Sequence, residues 1–232
     1  MNEFKQMLCR GSFPLVVSLP RNDVSLAQAA WENGADVVKV HINLKHHASS
    51  TQFGSLFEEK KTLEEMLRIA KGPMGIVLGA DCDAAEGALE DAISLGFDFI
   101  SLYGQHVTPK VAATDKVSRM IAPDYSWADW EIEGLEEEGA DILEASIIHP
   151  DCYGQRMSMR ELIHYRHICH LTSLPVVVPT QCAVHPEEVC ALRNCGVSSL
   201  MIGAVVTGKE IDGFGEAVAA FRRSIDAMNK KE

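Results

Sequence analysis

Residues 33–40 read NGADVVKV, residues 95–102 LGFDFISL, residues 138–145 EGADILEA and residues 194–202 NCGVSSLMI. Each places a glycine at the end of a helix-like stretch and follows it with a short apolar run. Glycine is expected where a helix stops in the left-handed conformation. A run that is apolar on both faces is expected of a strand in a parallel sheet covered on both sides. A second set lies between these four: FPLVVSLP at 13–20, GPMGIVLGAD at 72–81, KVSRMIAPD at 116–124 and LPVVVPTQ at 174–181. Interleaved, the two sets give eight strands beginning near Leu15, Val37, Met74, Phe97, Arg119, Ile142, Val176 and Leu200.

The apolar spacing predicts helices over 25–33, 58–70, 84–94, 127–138, 159–171 and 186–194, and a closing amphipathic helix over 214–228. The stretch 108–117 has the poorest helical spacing. Eight alternating strand–helix units predict an α/β protein, a (β/α)8 TIM barrel, as a single domain over 1–232. An open doubly wound sheet, the rival, needs fewer strands or a broken rhythm. A short helix over 2–9 is expected to cover the bottom of the barrel.

Composition narrows the function. The chain has 232 residues, 47% hydrophobic and 23% charged, which fits a globular protein rather than a disordered or fibrous one. The formal charge of −12 speaks against nucleic-acid or anionic-membrane partners. No apolar run reaches the length of a membrane span. Seven cysteines, an odd number without a CxxC pair, and an N-terminal stretch without a long apolar segment point to reduced thiols in the cytoplasm.

In this barrel, chemistry sits at the carboxyl ends of the strands. Those ends are where polar residues crowd. Lys39 and Glu144 interrupt strands that are otherwise apolar, and a charge inside a barrel is costly unless it is paired or used. Two readings stand: an internal ion pair that fills the barrel, or a working pair. In the second, Lys39 holds an anion or acts as acid/base, and Glu144 serves as base or hydroxyl acceptor. Asp81 and His41 are further candidate catalytic residues; Lys39, His41 and Asn43 share one parity. Arg21, Asn43, Tyr103, His106, Arg156, Thr180 and Gln181 are candidate ligand-binding residues. The histidine-rich stretch after the second strand, over 44–56, is long for such a loop and is read either as a lid or as a solvated excursion. The loop over 149–158 brings Tyr153 and Arg156. No metal site is assigned, because short ligand spacings such as HxH or HExxH are absent, and no cofactor is expected. After the seventh and eighth strands, Cys182, Ala183, Gly203 and Ala204 are candidate phosphate-binding residues, since those loops often cradle a phosphate on backbone N–H groups.

The LVVSLP opening, the NGADVVKV unit, GPMGIVLGAD and GVSSLMIGAVVTG together resemble the ribulose-phosphate-binding barrel superfamily, most of all the N-acylglucosamine-6-phosphate 2-epimerases. The resemblance covers the architecture of the whole chain and motif detail in those four places. It implies that Lys39 takes the place of a ligand-binding arginine, that Gly203 and Ala204 belong to a phosphate loop, and that the chain pairs as a homodimer. The epimerases carry a lysine where this chain has Leu78 and Gly79, and a glutamate where it has Thr180 and Gln181. The family's catalytic Lys and Glu are therefore missing. The expected function is a barrel enzyme of the lyase, isomerase or epimerase type, acting on a small anionic, phosphorylated metabolite by proton abstraction next to a carbonyl. A metal-assisted aldolase or epimerase using His41, Asp81 and His149, and a non-catalytic metabolite-binding or scaffold barrel, are the alternatives.

Overall fold

A computed structural model describes residues 3–230. Eight parallel strands close into a barrel: Leu15–Ser18, Val37–His41, Met74–Val77, Phe99–Tyr103, Ser118–Ala122, Ile142–Glu144, Val176–Pro179 and Ser199–Ile202. They follow one another around the barrel in chain order, first to eighth, as the sequence predicts. The circle closes where the first strand pairs with the eighth, Leu15 opposite Leu200, and the Ser199 hydroxyl donates to the Pro14 carbonyl at 2.8 Å across that seam.

The repeated glycine has a visible cause. Gly34, Gly96, Gly139 and Gly196 share φ between 93° and 99°, the left-handed region that a side chain disfavours. Two residues later each repeat places a side chain that accepts an N–H at the start of the neighbouring strand. Asp36 accepts from Leu15, Asp98 from Met74, Asp141 from Arg119 and Ser198 from Val176. The repeat thus turns the chain out of a helix and satisfies a donor at the start of the strand beside it.

Side chains that alternate along each strand fill the interior in layers. The lowest layer holds Val16, Val37, Phe99, Met120, Ile142, Val177 and Met201, and the helix Glu3–Cys9 closes it from below with Phe4 and Leu8. Asn2, also expected in that helix, lies outside the described residues. Phe4 packs on Phe99 with ring centroids 4.9 Å apart. Burying side chains of this size contributes ~1.5–3 kcal/mol each. A Cβ on Gly75 would collide with the Phe99 ring, so the third strand gives up a side chain to admit it. Lys5 ties the helix to Asp141 at 2.8 Å.

The outer helices depart from expectation on one side. The helix over 127–138 shortens to Asp129–Glu133, and the stretch over 108–117 keeps only Pro109–Ala112. Gly134 weakens the first, and the run Glu136, Glu137, Glu138 sets like charges side by side. The stretch after the second strand forms a short antiparallel ribbon, Leu44–Lys45 against Gln52–Phe53, which buries Phe53. Among the described residues, no helix is long and apolar enough to cross a membrane. All seven cysteines are free thiols.

Candidate active site

One step above the apolar layer, two residues further along, four of the strands turn polar. Val16 gives way to Ser18, Val37 to Lys39, Phe99 to Ser101 and Ile142 to Glu144. The strand period turns Lys39 and Glu144 both into the barrel, and the stagger of the strands lets their side chains meet there. Lys39 Nζ lies 3.0 Å from Glu144 Oε2, and both residues are buried. Ser101 Oγ donates to the same carboxylate oxygen at 2.8 Å and accepts from Lys39 at 3.5 Å. Ser146 Oγ donates to Glu144 Oε1 at 3.1 Å. An ammonium has three donors, and these bonds use two of them.

The pair lies where two lobes of the barrel mouth meet, with empty spaces of about 460 and 750 Å3. Tyr103, His46, Ala48 and Tyr153 line both lobes. The Tyr153 oxygen accepts from the Gln181 amide at 2.5 Å. Burial, with Tyr153 and Glu144 nearby, pushes the Tyr103 phenol well above its ordinary range. Burial, helped by His46 and Lys39, holds His41 well below the ordinary histidine value, so its imidazole is neutral near pH 7. Burial and then Lys39 lower His46 to about 4, against the opposing pull of Glu144.

The candidate residues sort by position. His41 sits beside the pair, its Nε2 3.5 Å from Ser18 Oγ. Tyr103 lines both lobes, His106 the larger, and Thr180, Gln181, Gly203 and Ala204 the smaller. Thr180 Oγ1 accepts from the Gly203 N–H at 3.0 Å, which ties the seventh strand's end to the eighth's. Asp81 instead caps the helix Cys82–Leu95, accepting from the Ala84 N–H at 2.8 Å. Asn43 adopts φ 56° and donates its amide to the Leu78 carbonyl. Arg21 pairs with Asp23 at 3.1 Å and donates to the Lys209 carbonyl. Arg156 is exposed and pairs with Glu188 at 2.9 Å. Cys182 is buried among apolar side chains, with its thiol pushed up to about 11 by burial. The Ala183 N–H donates to the Gln155 carbonyl. His149 packs at a tilt against Tyr125 in an outer groove, 4.4 Å between ring centres, and lines neither lobe of the mouth. Among the described residues, no three His, Cys, Asp or Glu side chains group to hold a metal ion.

Sequence reasoning passed over Lys209, which lies close enough to His46 for its charge to be felt there. Its signal was available: it directly follows Thr207 and Gly208, at the end of the short helix Ala204–Thr207.

No family model matches the chain, and no curated protein matches it. Solved structures do. The thiamine phosphate pyrophosphorylase from Pyrococcus furiosus is 17% identical, with a TM-score of 0.64 over 94% of this chain and 98% of that one. KGPDC from Streptococcus mutans is 13% identical, with a TM-score of 0.70 over 93% and 98%. A 3-hexulose-6-phosphate synthase is 13% identical, with a TM-score of 0.65 over 91% and 99%. At such identities the likeness establishes the TIM-barrel fold.

Proposed function

We propose that the protein is an enzyme acting on a small phosphorylated metabolite, by removal of a proton from a carbon next to a carbonyl. The observation that carries this reading is the buried Lys39–Glu144 pair, 3.0 Å apart and opening on a polar cleft at the carboxyl end of the barrel. A buried pair is weak support for stability, because desolvating two charges offsets their attraction. Its place at the mouth favours use in chemistry. The names of the structural neighbours point the same way, since several contain a phosphorylated compound.

In this reading Glu144 takes the proton through Oε1, whose Ser146 hydroxyl partner can rotate away. The electron pair of the broken C–H bond moves onto the carbonyl oxygen, where the Lys39 ammonium stabilises the enolate. Where the deprotonated carbon carries a hydroxyl, moving that hydroxyl's proton to the enolate oxygen and returning the abstracted proton to the former carbonyl carbon completes an isomerisation; returning the proton to the opposite face of the carbon it left completes an epimerisation. His41, neutral, holds the carbonyl end through hydrogen bonding. Thr180, Gln181 and the backbone at Gly203 and Ala204 form the phosphate end of the cleft, with Lys209 adding positive charge. Leu78 and Gly79, and Thr180 and Gln181, stand where the resembling epimerases carry their lysine and glutamate, so the proton work falls to a different pair here.

Incubating the protein in deuterated water with a panel of aldose and ketose phosphates tests this directly. One member of the panel is expected to take up deuterium beside its carbonyl with wild-type protein and not with Glu144→Gln. Ligands that bind without exchange, or exchange that survives in Glu144→Gln, would remove Glu144 from the reaction.

A further inference from the structure

The helix Met159–Leu171 is apolar on more sides than its own barrel can bury. Tyr165 and Ile168 turn inward and are buried, whereas Met159 and Ile163, four residues apart, stand 76% and 59% exposed on its outer side. A helix that is apolar outside as well as inside is expected to be covered on both. The neighbouring helix Asp129–Glu133 repeats the feature: Ile132 is buried and Trp130 is 72% exposed. The His167 imidazole and the Asp129 carboxylate, 2.8 Å apart, hold the two helices side by side along a groove of about 1120 Å3.

Charge is divided between them. Residues 129–138 carry six carboxylates and no lysine or arginine. Residues 159–171 carry two arginines and three histidines against one glutamate. Part of this is satisfied within the chain: Asp129 meets His167, Glu131 accepts from the Ala128 N–H, and Glu136 accepts from the Ser173 hydroxyl. Among the described residues, Arg160, Glu133 and Glu137 enter no ion pair.

We infer that two copies of the chain meet on this face, each laying its helix Asp129–Glu133 against the other's Met159–Leu171. A two-fold axis running between and along the two helices produces that exchange. It sets the Trp130 ring of one copy on Met159 and Ile163 of the other, and Glu133 and Glu137 of one opposite Arg160 of the other, with the same contacts made twice. A two-fold interface must be complementary to itself. A face with one acidic and one basic helix, each carrying an exposed apolar residue, meets that condition, whereas a partner of single charge sign would match only one helix. A tryptophan is also among the commonest anchors of such contacts. Trp130, Met159, Arg160 and Ile163 line neither lobe of the mouth, so the interface is tested apart from the site.

Sedimentation velocity over a range of protein concentrations makes the test. The wild-type chain is expected to sediment as a dimer. Trp130→Glu and Ile163→Glu are each expected to give a monomer with unchanged circular dichroism, because both side chains already face outward within one copy. Arg160→Glu is expected to weaken association about tenfold, and adding Glu133→Arg and Glu137→Arg is expected to restore it, since the charges are then exchanged rather than opposed. A wild-type chain that stays monomeric overturns the proposal. A dimer that survives both Trp130→Glu and Ile163→Glu overturns the assignment to this face. Association that the added arginines fail to restore overturns the crosswise pairing of the helices.

Discussion

Glu144 is surrounded by groups that depend on it: Lys39 at 3.0 Å, Ser101 at 2.8 Å and Ser146 at 3.1 Å. Lys39→Met therefore does more than remove a positive charge. It leaves the carboxylate buried without its counter-ion, and breaking such a pair costs about 3–5 kcal/mol. Urea denaturation is expected to show that loss, and the double variant Lys39→Met/Glu144→Gln is expected to recover more than half of it. A double variant no more stable than the single one would mean the two groups do not act on each other. Glu144→Gln alone is expected to slow deuterium exchange by ~100-fold or more. The pairing was legible in the sequence, because a lysine and a glutamate each stood alone in an apolar strand. The partners that tune it were not: Ser101 looks like any strand serine, and Ser146 like any loop serine, until the fold sets them beside the carboxylate.

Asp81 shows how a helix can claim a residue that the strand end offers to the site. The sequence places it just past the third strand, where catalytic groups gather. The helix Cys82–Leu95 starts at the next residue and its first N–H groups need an acceptor, which Asp81 supplies to Ala84. Asp81→Ala is expected to lower stability by ~1 kcal/mol, read by thermal or urea unfolding, with deuterium exchange unchanged; a large loss of exchange would return Asp81 to the chemistry. Element order and strand starts were readable because each repeat carries its own stop and its own hydrogen-bonded Asp or Ser. The ribbon Leu44–Phe53 was not. Two residues per strand give too little alternation to announce a sheet, and its pairing is fixed by the burial of Phe53 and the ring contacts of His46. At the other end, Phe4→Ala is expected to cost about 3–5 kcal/mol by removing the ring that closes the lowest layer.

For the molecule as a whole, the buried imidazoles set an acid limit. His41 and His46 both bind protons less readily when folded than when unfolded, His46 titrating at about 4 instead of 6.5. The unfolded chain therefore takes up protons first as the pH drops. Their contribution to stability is complete above pH 6.5 and declines progressively toward pH 4. Urea midpoints measured between those limits are expected to fall with acid, and His46→Gln is expected to flatten the decline. An unchanged slope would show that His46 stays protonated as easily in the fold as out of it.

The seam between the first and eighth strands has a consequence for biosynthesis. Leu15 finds Leu200, and Pro14 finds Ser199, only after the chain between them has left the ribosome. At the usual pace of translation the opening strand waits on the order of 10 s with one edge uncovered. During that interval the nascent chain presents an unpaired strand to its neighbours, and closing the circle is the event that ends its exposure.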